Sequence, residues 1–293
     1  GRAVLFVAGD PVLAYGERND PGARMLAACR LSLERDRVFF LAGDFHHYER
    51  RAIGRSMHVI AGGGGAFLHG TRIAPYPERT GPPAAVYPDG AATRKLVLQV
   101  PVKLMIGRAG LLVHLALGVL ASFEIGAWHG SAGVFGVTSF VVSAVLALVL
   151  YFIAIQGHGP RAIRAALAIP FGLALGLLPG GLRLALPHLP FHLADGAVLV
   201  ACAFAGSFLF GVYLTVLTLL GLEHQQAFTV LGHPGYKHFV RLCVHPGGKI
   251  EGWAIGKDDV LDTSPPMLID HFVWDPGPPP PPKPSLRPPP PAT

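Results

Sequence analysis

The chain has 293 residues, 51% of them hydrophobic and only 14% charged, with a mean hydropathy of +0.44. A soluble domain is about 25% charged, so this composition excludes a purely water-soluble protein. The net charge of +6 does not mark a nucleic-acid protein: the basic residues are scattered or sit at the ends of apolar runs rather than along one stripe, and no nucleic-acid partner is expected.

In the first ninety residues, Ala3 to Ala8 (AVLFVA) is a short apolar run that reads as a buried strand. Asp20-Pro21 opens a helix, with Asp as N-cap and Pro at the first helical position. Met25, Leu26, Cys29 and Leu33 then share one helical face, and the helix is expected to end near Asp36. Val38 to Ala42 (VFFLA) is a second strand, so the segment reads as a βαβ unit with parallel strands. His58 to Ala61 is a third strand, ended by Gly62 to Gly65, and Gly70 to Gly90 reads as loop. No charged segment followed by an apolar core precedes the first strand, so no signal peptide is visible. The true N-terminus is expected to lie upstream of Gly1.

The charges thin out next. Gly110 to Leu222 spans 113 residues and holds five of the 42 charged side chains: Glu124, Arg161, Arg164, Arg183 and Asp195. Four transmembrane spans are predicted, over 110–127, 134–155, 165–186 and 196–222. The third is the weakest, interrupted by Pro170, Pro179, Gly180, Gly181 and Arg183. Residues 91–109 read as a linker. Arg94, Lys95, Lys103 and Arg108 precede the first span, Arg161 and Arg164 separate the second from the third, and Lys237 and Arg241 follow the fourth. The positive-inside rule then places both flanking segments in the cytoplasm. The predicted location is the inner cell membrane, with the lipid bilayer as a partner. Glu124 and His114 are the ionisable groups of the first span, both near its ends.

After the membrane block, 223–275 carries a hairpin pattern: His238 to Val244, a turn at Pro246-Gly247-Gly248, and Ile250 to Ile255. Leu268 to Trp274 is a further strand. Three short strands make a poor independent core, so they are expected to pack on the N-terminal segment. The tail, 276–293, holds eleven of the chain's 28 prolines. It reads as extended, disordered polyproline II, with any partner unknown.

The densest chemistry lies at Gly43-Asp44-Phe45-His46-His47-Tyr48, where the second strand ends. Parallel α/β sheets bind ligands at the carboxyl ends of their strands. A carboxylate and an imidazole two residues apart on a turn can both reach one divalent cation, although two ligands do not close a site. Gly62 to Gly65 permits a tight turn or the cradling of an anion by consecutive N–H groups. The three cysteines, Cys29, Cys202 and Cys243, build neither a zinc motif nor a disulfide framework.

GDFHHY after an apolar strand, VIAGGGGAFLHGT about a dozen residues on, and the later YKHFVRLCV and GWAIG segments together resemble a calcineurin-like metallophosphoesterase. More narrowly, they are similar to the membrane-associated bacterial subgroup, with the nearest matches at 37–71 and 236–274. The resemblance implies an α/β fold: the C-terminal part of a metallophosphoesterase β-sandwich with flanking helices over 1–90, joined to a bundle of about four transmembrane helices and a small C-terminal β segment. It implies two divalent metal ions (Mn, Fe or Zn) clamping a phosphate-ester substrate. Asp44 and His46 would be metal ligands, His47 would donate to a phosphate oxygen, and Gly63, Gly64 and His69 would line the phosphate site. The family's upstream motifs, Asp-x-His, Gly-Asp and Gly-Asn-His, do not precede position 43. The chain is therefore expected to be an N-terminally incomplete, inactive piece of a membrane-anchored hydrolase. The other readings are a transport module, disfavoured by the lack of paired mid-membrane charges, and a non-catalytic membrane scaffold.

Overall fold

A computed structural model describes residues 3–277 apart from 66, 156, 158 and 234; the proline-rich tail beyond Gly277 lies outside the described residues. The elements in order are β1 (Val4–Ala8), β2 (Leu13–Ala14), β3 (Glu17–Arg18), α1 (Asp20–Ala28), β4 (Val38–Ala42), β5 (Tyr48–Ile53), β6 (Ser56–Ala61) and β7 (Ala85–Tyr87). Five helices follow, α2 (Gly90–Val97), α3 (Val100–Met105), α4 (Leu112–Trp128), α5 (Ala132–Ile155) and α6 (Arg161–Ala185), then α7 (Phe191–Leu219) and α8 (Gln226–Thr229). The chain closes with β8 (Lys237–Val244), β9 (Ile250–Lys257) and β10 (Met267–Trp274).

Five strands form a mixed sheet in the order β1-β4-β6-β5-β7. β1 pairs with β4 in parallel, Val4 opposite Val38, as a βαβ crossover requires. β4 pairs in parallel with β6, and β5 runs antiparallel to both β6 and β7. β4 lies between two strands and is apolar throughout, with Val38, Phe39 and Phe40 fully buried. Its alternation splits the core in two. Phe40 faces α1 with Leu26, Leu33 and Val38. Phe39 faces the antiparallel sheet β10-β9-β8 and packs with Phe272, Trp274 and Ile250. The two sheets therefore stack as a sandwich. Arg50 locks them, pairing with Asp270 at 2.6 Å beside a 2.7 Å bond from the Tyr48 hydroxyl to the same carboxylate.

Several expectations need correction. α1 ends at Ala28 rather than near Asp36, because Arg30 adopts a positive φ of 57°. The predicted loop over Gly70–Gly90 contains β7 at the sheet edge. The supposed linker 91–109 holds α2 and α3. Asp89 caps α2 by accepting from the Ala92 N–H at 2.7 Å. Leu96, Val97, Val100 and Leu104 are buried with Tyr213, Leu214 and Leu217 of α7.

α4 to α7 pack together, and three of them, α5, α6 and α7, are long and apolar enough to cross a membrane, with hydropathies of 2.5, 1.8 and 2.2. α4, the first of the four expected spans, has 17 residues, fewer than the about 20 that a full crossing takes. The weak point of the sequence pattern, α6, is a continuous 25-residue helix with Pro170 and Pro179 inside it. Its glycines have a packing role: Gly172 and Gly176, four apart, bring α6 against Ala147 and Ser143 of α5, where a side chain would collide. The outer surface of the bundle is apolar, with Phe140 71% exposed and Leu115, Leu148 and Val200 also open. Its interior holds Glu124, Ser139, Ser143 and Ser207. At the end away from the sandwich, His129 and Arg183 both meet the Asp195 carboxylate, at 2.7 and 3.3 Å.

Candidate functional site

β1 and β4 run in parallel, so their carboxyl ends sit side by side. The two loops leaving them touch: the N–H groups of Gly43 and Asp44 both donate to the Gly9 carbonyl, at 3.1 and 3.0 Å. The exposed Asp44 carboxylate lies over Gly9, where a Cβ would stand 3.0 Å from both carboxylate oxygens. Asp10, the next residue, accepts from the Asn19 amide at 3.5 Å. Asp44 therefore occupies the strand-end position where open α/β sheets take their ligands.

His46 follows on the same turn. Its Nδ1 lies 2.7 Å from the Phe67 carbonyl. A carbonyl can only accept, so Nδ1 carries a proton. The His46 N–H donates to His69 Nδ1 at 2.9 Å, and the two rings stack at 4.7 Å. His69 is thereby an acceptor at Nδ1. Burial, with a smaller contribution from His47 and His46, pushes its pKa down to about 3, so it is neutral.

The Gly62–Gly65 segment closes as a turn, with the Gly65 N–H donating to the Gly62 carbonyl at 3.0 Å. Gly62 abuts the carbonyls of Gly43 and Phe45, Gly63 abuts the His238 ring and Gly65 abuts the His46 ring, so side chains are excluded at all three. Gly64 faces open space. The Lys237 ammonium donates to the Gly65 carbonyl. His238 is buried, its Nδ1 donating to the Tyr236 carbonyl at 3.2 Å and its Nε2 without a partner. The structure thus gathers Asp44, His46, His69 and the glycine turn, and adds Lys237 and His238 from β8. Lys237 lies 172 residues beyond the Gly65 that it meets, outside any local pattern.

His47, expected to reach a phosphate oxygen, is instead fully buried. Its ring packs on Tyr15 at 5.0 Å and its Nε2 lies 3.7 Å from Glu49. Burial raises the Glu49 carboxyl, but His47 and Arg51 outweigh it and hold its pKa below the usual range. Arg51 donates to Glu49 at 2.6 Å and to the carbonyls of Thr80 and Gly81. Tyr15 also stacks on His224 at 4.3 Å, just beyond α7. Next to it, Glu223 accepts from the N–H groups of Gln225 and Gln226 at 2.6 and 2.9 Å. The polar cluster therefore joins the sandwich to the end of the helix bundle. His47 belongs to this joint rather than to the exposed turn.

Asp44 and His46 suit a divalent cation in ligand type. Among the described residues, however, no group of three or more His, Cys, Asp or Glu could hold a metal ion. The turn offers two ligands and not a closed site. No family model, curated protein or solved structure matches this chain.

Proposed function

We propose that this chain is the membrane-anchored part of a metal-dependent phosphoesterase, with its sandwich on the cytoplasmic face of the inner membrane. The observation that carries the reading is the His46 turn. At the end of a parallel strand, a histidine whose Nδ1 is engaged by a backbone carbonyl turns its Nε2 towards a glycine turn, two residues after an exposed carboxylate. That is how proteins orient a metal-ligating imidazole. Asp44 and His46 would hold a divalent cation, whose chemistry is to polarise the phosphate ester and activate water. His69 fixes the His46 backbone. The Lys237 ammonium adds positive charge on the glycine turn, where an anionic substrate would lie. The remaining ligands would come from additional strands. β1 is an edge strand, and Leu5 and Val7 on it are 47% and 66% exposed, which leaves room for them. A four-span bundle, with α4 crossing a locally thinned bilayer, accommodates the basic residues at the sandwich end.

The test is manganese binding to the purified chain in lipid nanodiscs, read by electron paramagnetic resonance. Weak, saturable binding is expected, lost in His46→Ala and reduced in Asp44→Asn, with no hydrolysis of bis(p-nitrophenyl) phosphate by this chain. Binding that is indifferent to both substitutions, or absent throughout, would leave a non-catalytic membrane scaffold as the better account.

A further inference from the structure

A cleft lies elsewhere on the sandwich, away from the turn at Asp44 and His46. It has a volume of about 880 Å³ and opens between α1, the segment 31–35, β5 and the segment 79–84. Its size is that of a small-molecule pocket. None of Asp44, His46, His69, Lys237 or His238 lines it. Its walls are apolar, with Leu26, Leu31, Leu33 and Ile53, and four arginines, Arg18, Arg35, Arg51 and Arg79, stand around them. Glu34 is the only acid in the lining.

The four guanidinium groups differ. Arg18 is exposed and pairs with Asp20 at 3.1 Å. Arg51 is 3% exposed, clamped by Glu49 and two carbonyls beneath the Tyr76 ring at 5.0 Å. Its Nη2 is nevertheless buried without a hydrogen-bond partner. That atom has no exposed surface, so Arg51 adds positive charge beneath the cleft and not a contact in it. Arg35 and Arg79 are exposed and flank Glu34. The Glu34 carboxyl is held below its ordinary range, first by the Ser32 hydroxyl and further by both arginines. A hydroxyl and one carboxylate thus sit among an excess of guanidinium, a donor-rich rim over an apolar floor. Guanidinium forks match phosphate oxygens.

We propose that this cleft is a binding site for an amphipathic organic phosphate, its apolar body against Leu26, Leu31 and Ile53 and its phosphate on Arg35 and Arg79. The site is independent of the turn at Asp44 and His46, and its ligand need not be the substrate of that turn.

The probe is 1-naphthyl phosphate, titrated by fluorescence into the full chain in phosphatidylcholine nanodiscs, with empty discs as blank. Saturable binding is expected, about tenfold or more weaker for 1-naphthol or inorganic phosphate alone. Arg35→Ala with Arg79→Ala should weaken it about tenfold or more, the loss of charge-assisted contacts. Both positions are exposed, so the fold is retained. Ala27→Trp, which fills the apolar wall from exposed α1, should abolish binding by a different route. No saturable binding, equal binding of 1-naphthol, or binding that survives both changes would overturn the proposal. Loss of binding in His46→Ala would also overturn it, by placing the ligand at the metal turn; failure of manganese binding alone would not touch it.

Discussion

The sandwich and the helix bundle each bury a glutamate, and they treat it in opposite ways. In the sandwich, Glu49 is flanked by Arg51 and His47 and belongs to a network that reaches Thr80, Gly81 and Tyr15. In the bundle, Glu124 is equally buried but meets one hydroxyl, Ser139 at 2.9 Å, and its second oxygen has no partner. Apolar packing surrounds it, including Leu120, Leu178 and Cys202. The first arrangement is a compensated charge inside a water-facing domain. The second is a lone polar pair inside a bundle that presents its apolar side chains outward. The difference shows which solvent each region is built for: the sandwich pairs its buried charge, and the bundle lines its outer surface with apolar side chains.

The comparison can be broken most forcefully at Glu49. Glu49→Ala leaves Arg51 and His47 buried without their carboxylate, and a loss of about 3–5 kcal/mol is expected. It should appear as a large fall in melting temperature and as lost hydrogen-exchange protection in β5.

The next effect is acid sensitivity at His58. Its Nε2 accepts from the N–H groups of Val12 and Leu13 at 3.2 and 3.4 Å, so protonation would destroy both contacts. Burial, the largest influence, pushes its pKa down to about 4. The unfolded chain, near 6.5, therefore takes up the proton first. Stability is full above pH of about 6.5 and falls by about 1.4 kcal/mol per pH unit as the pH drops towards 4. His58→Gln keeps an acceptor and should flatten that slope by one proton in a pH series of thermal melts.

Within the bundle, Gly176→Val forces a side chain against Ser143 and should cost about 1–3 kcal/mol, loosening α5 from α6. Glu124→Gln preserves the acceptor for Ser139 and should change bundle stability by less than about 1 kcal/mol. If Glu124→Gln proved as damaging as Glu49→Ala, the contrast between the two regions would fail.

Much of this architecture was legible in the sequence because apolar runs carry their own period. AVLFVA, VFFLA and the alternating HFVRLCV segment gave β1, β4 and β8, and the charge-poor stretches gave the long helices. β5 was not legible: YERRAI reads as polar, and it is buried only because Glu49 and Arg51 pair with each other, Arg51 also reaches the Thr80 and Gly81 carbonyls, and Arg50 pairs with Asp270 of β10. α2 and α3 hid behind Arg94, Lys95 and Lys103, whose charges masked the buried stripe of Leu96, Val97, Val100 and Leu104. α6 looked broken because its glycines and prolines are breakers in water, whereas here the glycines form the contact with α5. Asp44 and His46 were found from the strand end that carries them. Lys237 and His238 were not, since only the stacking of the two sheets brings them there. His47 was misplaced because adjacent residues on a turn can face opposite environments.

The most direct test of a water-facing sandwich on one side of a lipid-facing bundle is thiol labelling. Cys29 and Cys243 are exposed on the sandwich, whereas Cys202 is buried in the bundle. Ser131→Cys, in the exposed turn between α4 and α5, adds a thiol at the far end once Cys29 and Cys243 are serine. With a membrane-impermeant maleimide, inside-out vesicles should label Cys29 and Cys243 in the unaltered chain but not the new thiol in the variant, and right-side-out vesicles the reverse. Labelling of all three from the same side would contradict the account.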